Sequence, residues 1–161
     1  MNEILSKISS YNIFNYLFPG ILFAMFTKYY CTHSFAQDDI TTGVFIYYFL
    51  GLIISRLGSI VVEPVLKWTK FVKFADYGKF VSASKVDAKI ELLSESNNMY
   101  RTLVATSIVM LLFKLYEIIT EYFEMSDINN PYLIIILIFC LFMFSYRKQT
   151  LYITKRVNGQ G

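Results

Sequence analysis

The residues with the most chemical capacity in this chain are few, and most of them lie inside apolar runs. Glu117 and Glu121 sit four apart, on one face of any helix that carries them, with Lys114 three residues before the first. Two carboxylates in that register could divide acid and base roles, but such catalysis also needs a substrate pocket. Lys28 is a further cation within an apolar run, and Arg56 is followed seven residues later by Glu63. Two cysteines, Cys31 and Cys140, and one histidine, His33, fall short of the roughly four ligands a structural zinc site takes, so no metal is expected. A Cys31–Cys140 disulfide requires the two segment ends to lie side by side. The chain contains no phosphate-binding loop, dinucleotide glycine pattern, GxSxG or HExxH. These patterns point away from an enzyme, and no cofactor is expected.

The elements that must carry these residues are set by composition. Of 161 residues, 55% are hydrophobic and 18% aromatic, more apolar surface than a soluble domain of this size can hide. The expected class is all-α, a polytopic membrane protein whose four transmembrane helices form two hairpins joined by a cytoplasmic helical segment. The corresponding divisions are an interfacial helix at 1–12, a first hairpin at 13–63, a basic amphipathic segment at 64–100, a second hairpin at 101–146 and a basic tail at 147–161. The run 13–30 reaches about 27 Å as a helix, near the hydrocarbon thickness. Pro19 within it removes a backbone donor, which predicts a kink near Asn15.

Orientation follows from the cations. Lys67, Lys70, Lys73, Lys79, Lys85 and Lys89 crowd the middle segment, and Arg147, Lys148, Lys155 and Arg156 follow the last apolar run. The links 32–41 and 124–132 hold no Lys or Arg. By the positive-inside rule both termini are cytoplasmic.

Within that frame the charged residues find depths. Lys114, Glu117 and Lys28 lie about 20, 24 and 22 Å above the inner end of their spans, so with Glu121 they can form one network; Arg56, at about 10 Å, cannot join it. Two readings are open, an ion-pair network that fixes packing and the lining of an aqueous path. Arg56 reaches for Glu63 or a lipid phosphate at the interface, with a transport role as the other option. Gly51, Ser55 and Ser59 recur every four residues with Gly58 alongside, a smooth face for close helix packing and, here, for a homo-oligomer, with a tetramer as the guess. Arg56, Lys67, Trp68, Lys70 and Lys73 suit contact with anionic lipid. The helix beginning at Ser84 presents Lys85, Lys89, Glu91 and Glu95, of both signs, and suits a cytosolic protein partner; direct nucleic-acid binding is not expected. Gly78 is read as a break, and 94–98 as a turn.

The residues SYNIFNYLFPG at 10–20, followed by four spans and a basic inner segment, resemble small four-span membrane proteins of bacterial anti-phage defence systems, nearest to the membrane subunit of the Kiwa system. The resemblance implies a homo-oligomeric inner-membrane subunit that senses infection and works with a cytosolic DNA-binding partner. No catalytic residue carries over. The alternatives are a ligand-gated pore or membrane-disrupting effector, and an immunity protein against a pore-forming toxin.

Overall fold

A computed structural model of the chain describes residues 12–124 and 131–158. The expected helix at 1–12 and most of the second external link therefore lie outside the described residues. Every regular element among them is helical. A π-helical turn, Ile13–Leu17, leads into α1 (Phe18–Tyr30), and α2 (Ile40–Leu57) passes through a second π turn, Gly58–Val62, into α3 (Glu63–Trp68). Then come α4 (Tyr77–Val86), α5 (Lys89–Tyr122) and α6 (Pro131–Asn158).

Both π turns have the same cause. Pro19 and Pro64 lack an N–H, and each proline ring would clash with the carbonyl four residues back, so the helix widens before it. Phe18 accordingly donates to the carbonyl of Ile13 and Glu63 to that of Gly58, each five residues back. The kink expected near Asn15 is thus a π turn centred on that residue. At Pro64 the helix continues to Trp68 where an exit from the membrane was expected.

Among the described residues, three helices are long and apolar enough to cross a membrane: Ile40–Trp68, Lys89–Tyr122 and Tyr132–Asn158. The α-helical part of the first apolar run is only 13 residues, so it is not among them. It packs along α2 over its length through two glycines. A Cβ on Gly20 would overlap the backbone carbonyl of Tyr47, and one on Gly51 that of Tyr16. Gly58 meets the side chain of Ala105 on α5, where Thr102, Ala105 and Thr106 form a second buried face of small residues. The small-residue face expected to join copies of the chain is therefore filled by helices of the same chain.

Phe23, Ile54, Val62 and Ala105 form a small buried apolar cluster, with Phe113 and Phe35 closing it through ring contacts. Most large apolar side chains point outward instead, and no residue in the apolar window of α6 is buried. An apolar exterior of that extent belongs in hydrocarbon.

The segment between the first and second expected hairpins differs from expectation in four places. The helix that opens the basic amphipathic segment stops at Trp68, soon after which Lys70 takes a left-handed backbone (φ 62°) and its N–H reaches back to the carbonyl of Lys67. Gly78 does not break a helix; it lies in the first turn of α4, whose cap is Asp76. Ser84–Val86 ends α4, and the next helix starts at Lys89 after Asp87 accepts its N–H. The predicted turn at 94–98 is absent, because with neither Gly nor Pro there, α5 runs unbroken from Lys89 to Tyr122.

Candidate functional site

Polar side chains gather at one end of the bundle in two layers. In the deeper layer Asn15, Ser55 and Thr102, all buried, join three helical segments. Asn15 Nδ2 donates to Ser55 Oγ at 3.3 Å, and Thr102 Oγ1 lies 2.8 Å from Asn15 Oδ1 and 3.2 Å from Ser55 Oγ. Thr102 Oγ1 is also 2.9 Å from the carbonyl of Asn98, and its one proton serves one of these acceptors at a time.

About two turns beyond Ser55, Glu63 is 6% exposed and its carboxylate accepts from three cations. Lys67 Nζ and Arg101 Nη1 each stand 2.8 Å away and Lys148 Nζ 3.4 Å. The backbone explains the third. The carbonyl of Ser59 would normally take the N–H of Glu63, but the π turn gives that N–H to Gly58, and the next residue is proline. The freed carbonyl accepts from Lys148 Nζ at 2.6 Å, and Ser59 Oγ lies 2.8 Å from the same nitrogen. Ser59 O, Ser59 Oγ and Glu63 Oε1 thus match the three protons of the ammonium, and α6 is pinned to the second π turn and α3. A buried carboxylate with cations on several sides is stable only while they remain, and the converse holds for Lys148 and Arg101.

Beside this cluster lies a cavity of about 610 Å³, walled by the first π turn, α2, α3, the 69–76 link, α4, α5 and α6. Four cations line it, Arg56, Lys67, Arg101 and Lys155, against the single carboxylate of Glu63. Lys67 Nζ also sits 4.0 Å above the Phe74 ring, and Tyr77 and Tyr152 hold their rings 6.0 Å apart.

At the opposite end Glu117 is buried and holds the 31–39 link against the bundle. Its Oε1 accepts the N–H groups of Thr32 at 2.9 Å and His33 at 3.2 Å, and Lys114 Nζ lies 3.3 Å from Oε2. Thr27 Oγ1 takes the N–H of Phe35 on the same link. The thiol of Cys31 is pushed above its ordinary value, first by burial and then by the Glu117 charge. Cys31 and Cys140 are free.

Of the residues expected to form one charged network, Lys114 and Glu117 meet. Lys28 is exposed and in no ion pair among the described residues, and Glu121, one turn beyond Glu117, is exposed. Arg56 does not pair with Glu63, whose three cations come from elsewhere. Gly51 and Gly58 contact α1 and α5, Ser55 joins the deep triad, and Ser59 binds Lys148. Trp68, Lys70 and Lys73 are exposed around the end of α3, whereas Lys67 turns into the cluster. Lys85, Lys89, Glu91 and Glu95 are exposed on the end of α4 and the start of α5. Sequence reasoning missed Asn15, Thr102, Arg101 and Lys148. The available signal was depth: Arg101 and Lys148 bound the apolar runs at the level of Glu63, where a carboxylate needs partners.

No protein-family model matches the chain, and neither the curated proteins nor the solved structures yield a match.

Proposed function

We propose that this chain is a non-enzymatic, four-span component of a bacterial inner membrane that passes a signal between the bilayer and a cytosolic protein partner. α1 is the fourth span in this reading, entering beside α2 from the π turn at its start, and both termini lie on the cytoplasmic side with the Glu63 cluster. The biological setting is the one implied by the resemblance of residues 10–20, a homo-oligomeric membrane subunit of an anti-phage defence system.

The observation that carries the reading is the continuity of α5. Its 34 residues make a rod of about 51 Å, against a hydrocarbon layer of about 30 Å. The part from Arg101 onward is long enough to cross, which leaves the stretch before it, with Lys89, Glu91 and Glu95, projecting as a rigid extension of a membrane span. A partner that grips this extension moves the span, because no flexible joint lies between them. The gated-pore alternative draws less support, since Glu117 is occupied by the 31–39 link and Lys114 instead of facing an open path.

The experiment is to break the rod. Ser96→Pro, or a Gly-Gly insertion after Ser96, keeps both surfaces and removes the coupling. In cells carrying the protein with its native neighbours, plaque formation should rise at least tenfold with these variants while membrane levels hold. Full protection by a broken rod would remove the proposal, as would failure of the intact chain to capture any protein through a surface that Lys85→Glu and Lys89→Glu abolish.

A further inference from the structure

We infer that the cavity beside Glu63 is a binding site for an organic phosphate. Its volume, about 610 Å³, lies within the range of small-molecule sites and far exceeds what a single inorganic ion fills. The charge of its lining is unbalanced. Glu63 is already shared among Lys67, Arg101 and Lys148, so it neutralises neither Arg56 nor Lys155. These two line the same cavity, from α2 and α6, and neither side chain has a hydrogen bond or ion pair among the described residues.

Two such cations facing one space repel each other, and the partly buried Arg56 has also lost part of its hydration. An anion between them relieves both costs. A phosphate group fits this better than a carboxylate, because its several acceptor oxygens can meet an ammonium on one wall and a guanidinium fork on the other. The rest of the lining suits the body of an organic molecule. Tyr77 and Tyr152 offer ring faces, while Asn97, Asn98 and Gln149 offer amides to hydroxyl or base edges.

Phosphate of this kind has two sources at such a place, the headgroup of an anionic lipid or a soluble nucleotide. The site is independent of the partner reading above, because it is measured on the purified chain alone. Loss of one leaves the other standing.

The test uses the full chain in nanodiscs. In phosphatidylcholine discs, a fluorescent adenosine triphosphate is titrated by anisotropy. In discs containing phosphatidylglycerol, lipid retained on release is counted by native mass spectrometry. One of the two probes should bind, more weakly as salt rises, and the arm that responds identifies the source. The double variant Arg56→Gln/Lys155→Gln should weaken that binding at least tenfold. Ser94→Trp, which fills the cavity without changing its charge, should do the same, and Lys79→Gln/Arg147→Gln, off the cavity lining, should leave it unchanged. The proposal is overturned if neither probe binds in a salt-sensitive way, if Ser94→Trp binds like the parent, or if the Lys79 and Arg147 variant loses as much as the Arg56 and Lys155 variant.

Discussion

Glu63 is the residue whose loss should cost most, because removing it strands cations that the bundle has partly desolvated. Glu63→Gln should destabilise the protein by about 3 kcal/mol, in the range for breaking a buried pair, measured by thermal unfolding in detergent. Lys67→Gln, at the more exposed end of the cluster, should cost under about 1 kcal/mol. Equal effects would mean that the carboxylate is solvated like any surface group. Lys70 should behave the opposite way: its left-handed backbone is unfavourable for any residue with a Cβ, so Lys70→Gly should stabilise by about 1 kcal/mol, and no gain in melting temperature would contradict the C-cap geometry. Asp39 supplies a pH dependence. Its carboxylate caps α2 and is held below the ordinary carboxylate value by hydrogen bonds from Thr42. Because the folded pKa is the lower one, its contribution is complete above the unfolded value of about 4 and is lost as the pH falls through the folded value. The acid-induced drop in melting temperature should therefore be smaller in Asp39→Asn than in the parent.

At the scale of elements, two glycines on one helix should differ in what they tolerate. A methyl at position 51 would overlap the backbone of Tyr16 in the first π turn, which cannot retreat without unseating the Asn15 triad. A methyl at position 58 would press on the Ala105 side chain at 3.1 Å, where α5 needs to move by only a few tenths of an ångström. Gly51→Ala should thus cost about 3 kcal/mol and Gly58→Ala about 1 kcal/mol, read as melting shifts of the single chain. If Gly51→Ala instead left the melt intact and lowered only the native mass, the face would serve contacts between copies. Both prolines act through the helices they distort. Pro64 frees the Ser59 carbonyl, and that carbonyl holds Lys148, so one residue in α3 decides where α6 docks.

For the whole molecule the main quantity is topology. With Cys31 and Cys140 replaced, a single cysteine introduced at Ser34 should react with an impermeant maleimide in intact cells, whereas one at Ser82 should react only after lysis. The reverse pattern would invert the orientation, and reaction of both from outside would rule out a span between them. The bundle is thin in buried apolar side chains and rich in exposed ones, so its stability in lipid depends on close backbone packing and on the polar layers at its two ends. Those layers are unlike: one Glu secures a link at one end, and another gathers cations beside a cavity at the other.

Much of this was legible in the chain itself. Long apolar runs and the clustering of lysines predict helices for a membrane, because both signals are local and additive along the sequence. The π turn near Asn15 was legible for the same reason, since a proline acts on the residue four before it. The rest depended on which surfaces meet. Gly51, Ser55, Gly58 and Ser59 mark a packing face but carry no record of its partner, and only the folded chain shows α1, α5 and α6 filling it. Lys28 and Glu117 share a depth yet not a direction, and depth is all that counting residues can supply. Local polarity at 94–98 suggested a turn, but with no residue there to break a helix, the backbone continued. The partners of Glu63 lie 4, 38 and 85 residues away along the chain. Their meeting is a fact of helix packing, and with it the cavity, which has no counterpart in any single stretch of sequence.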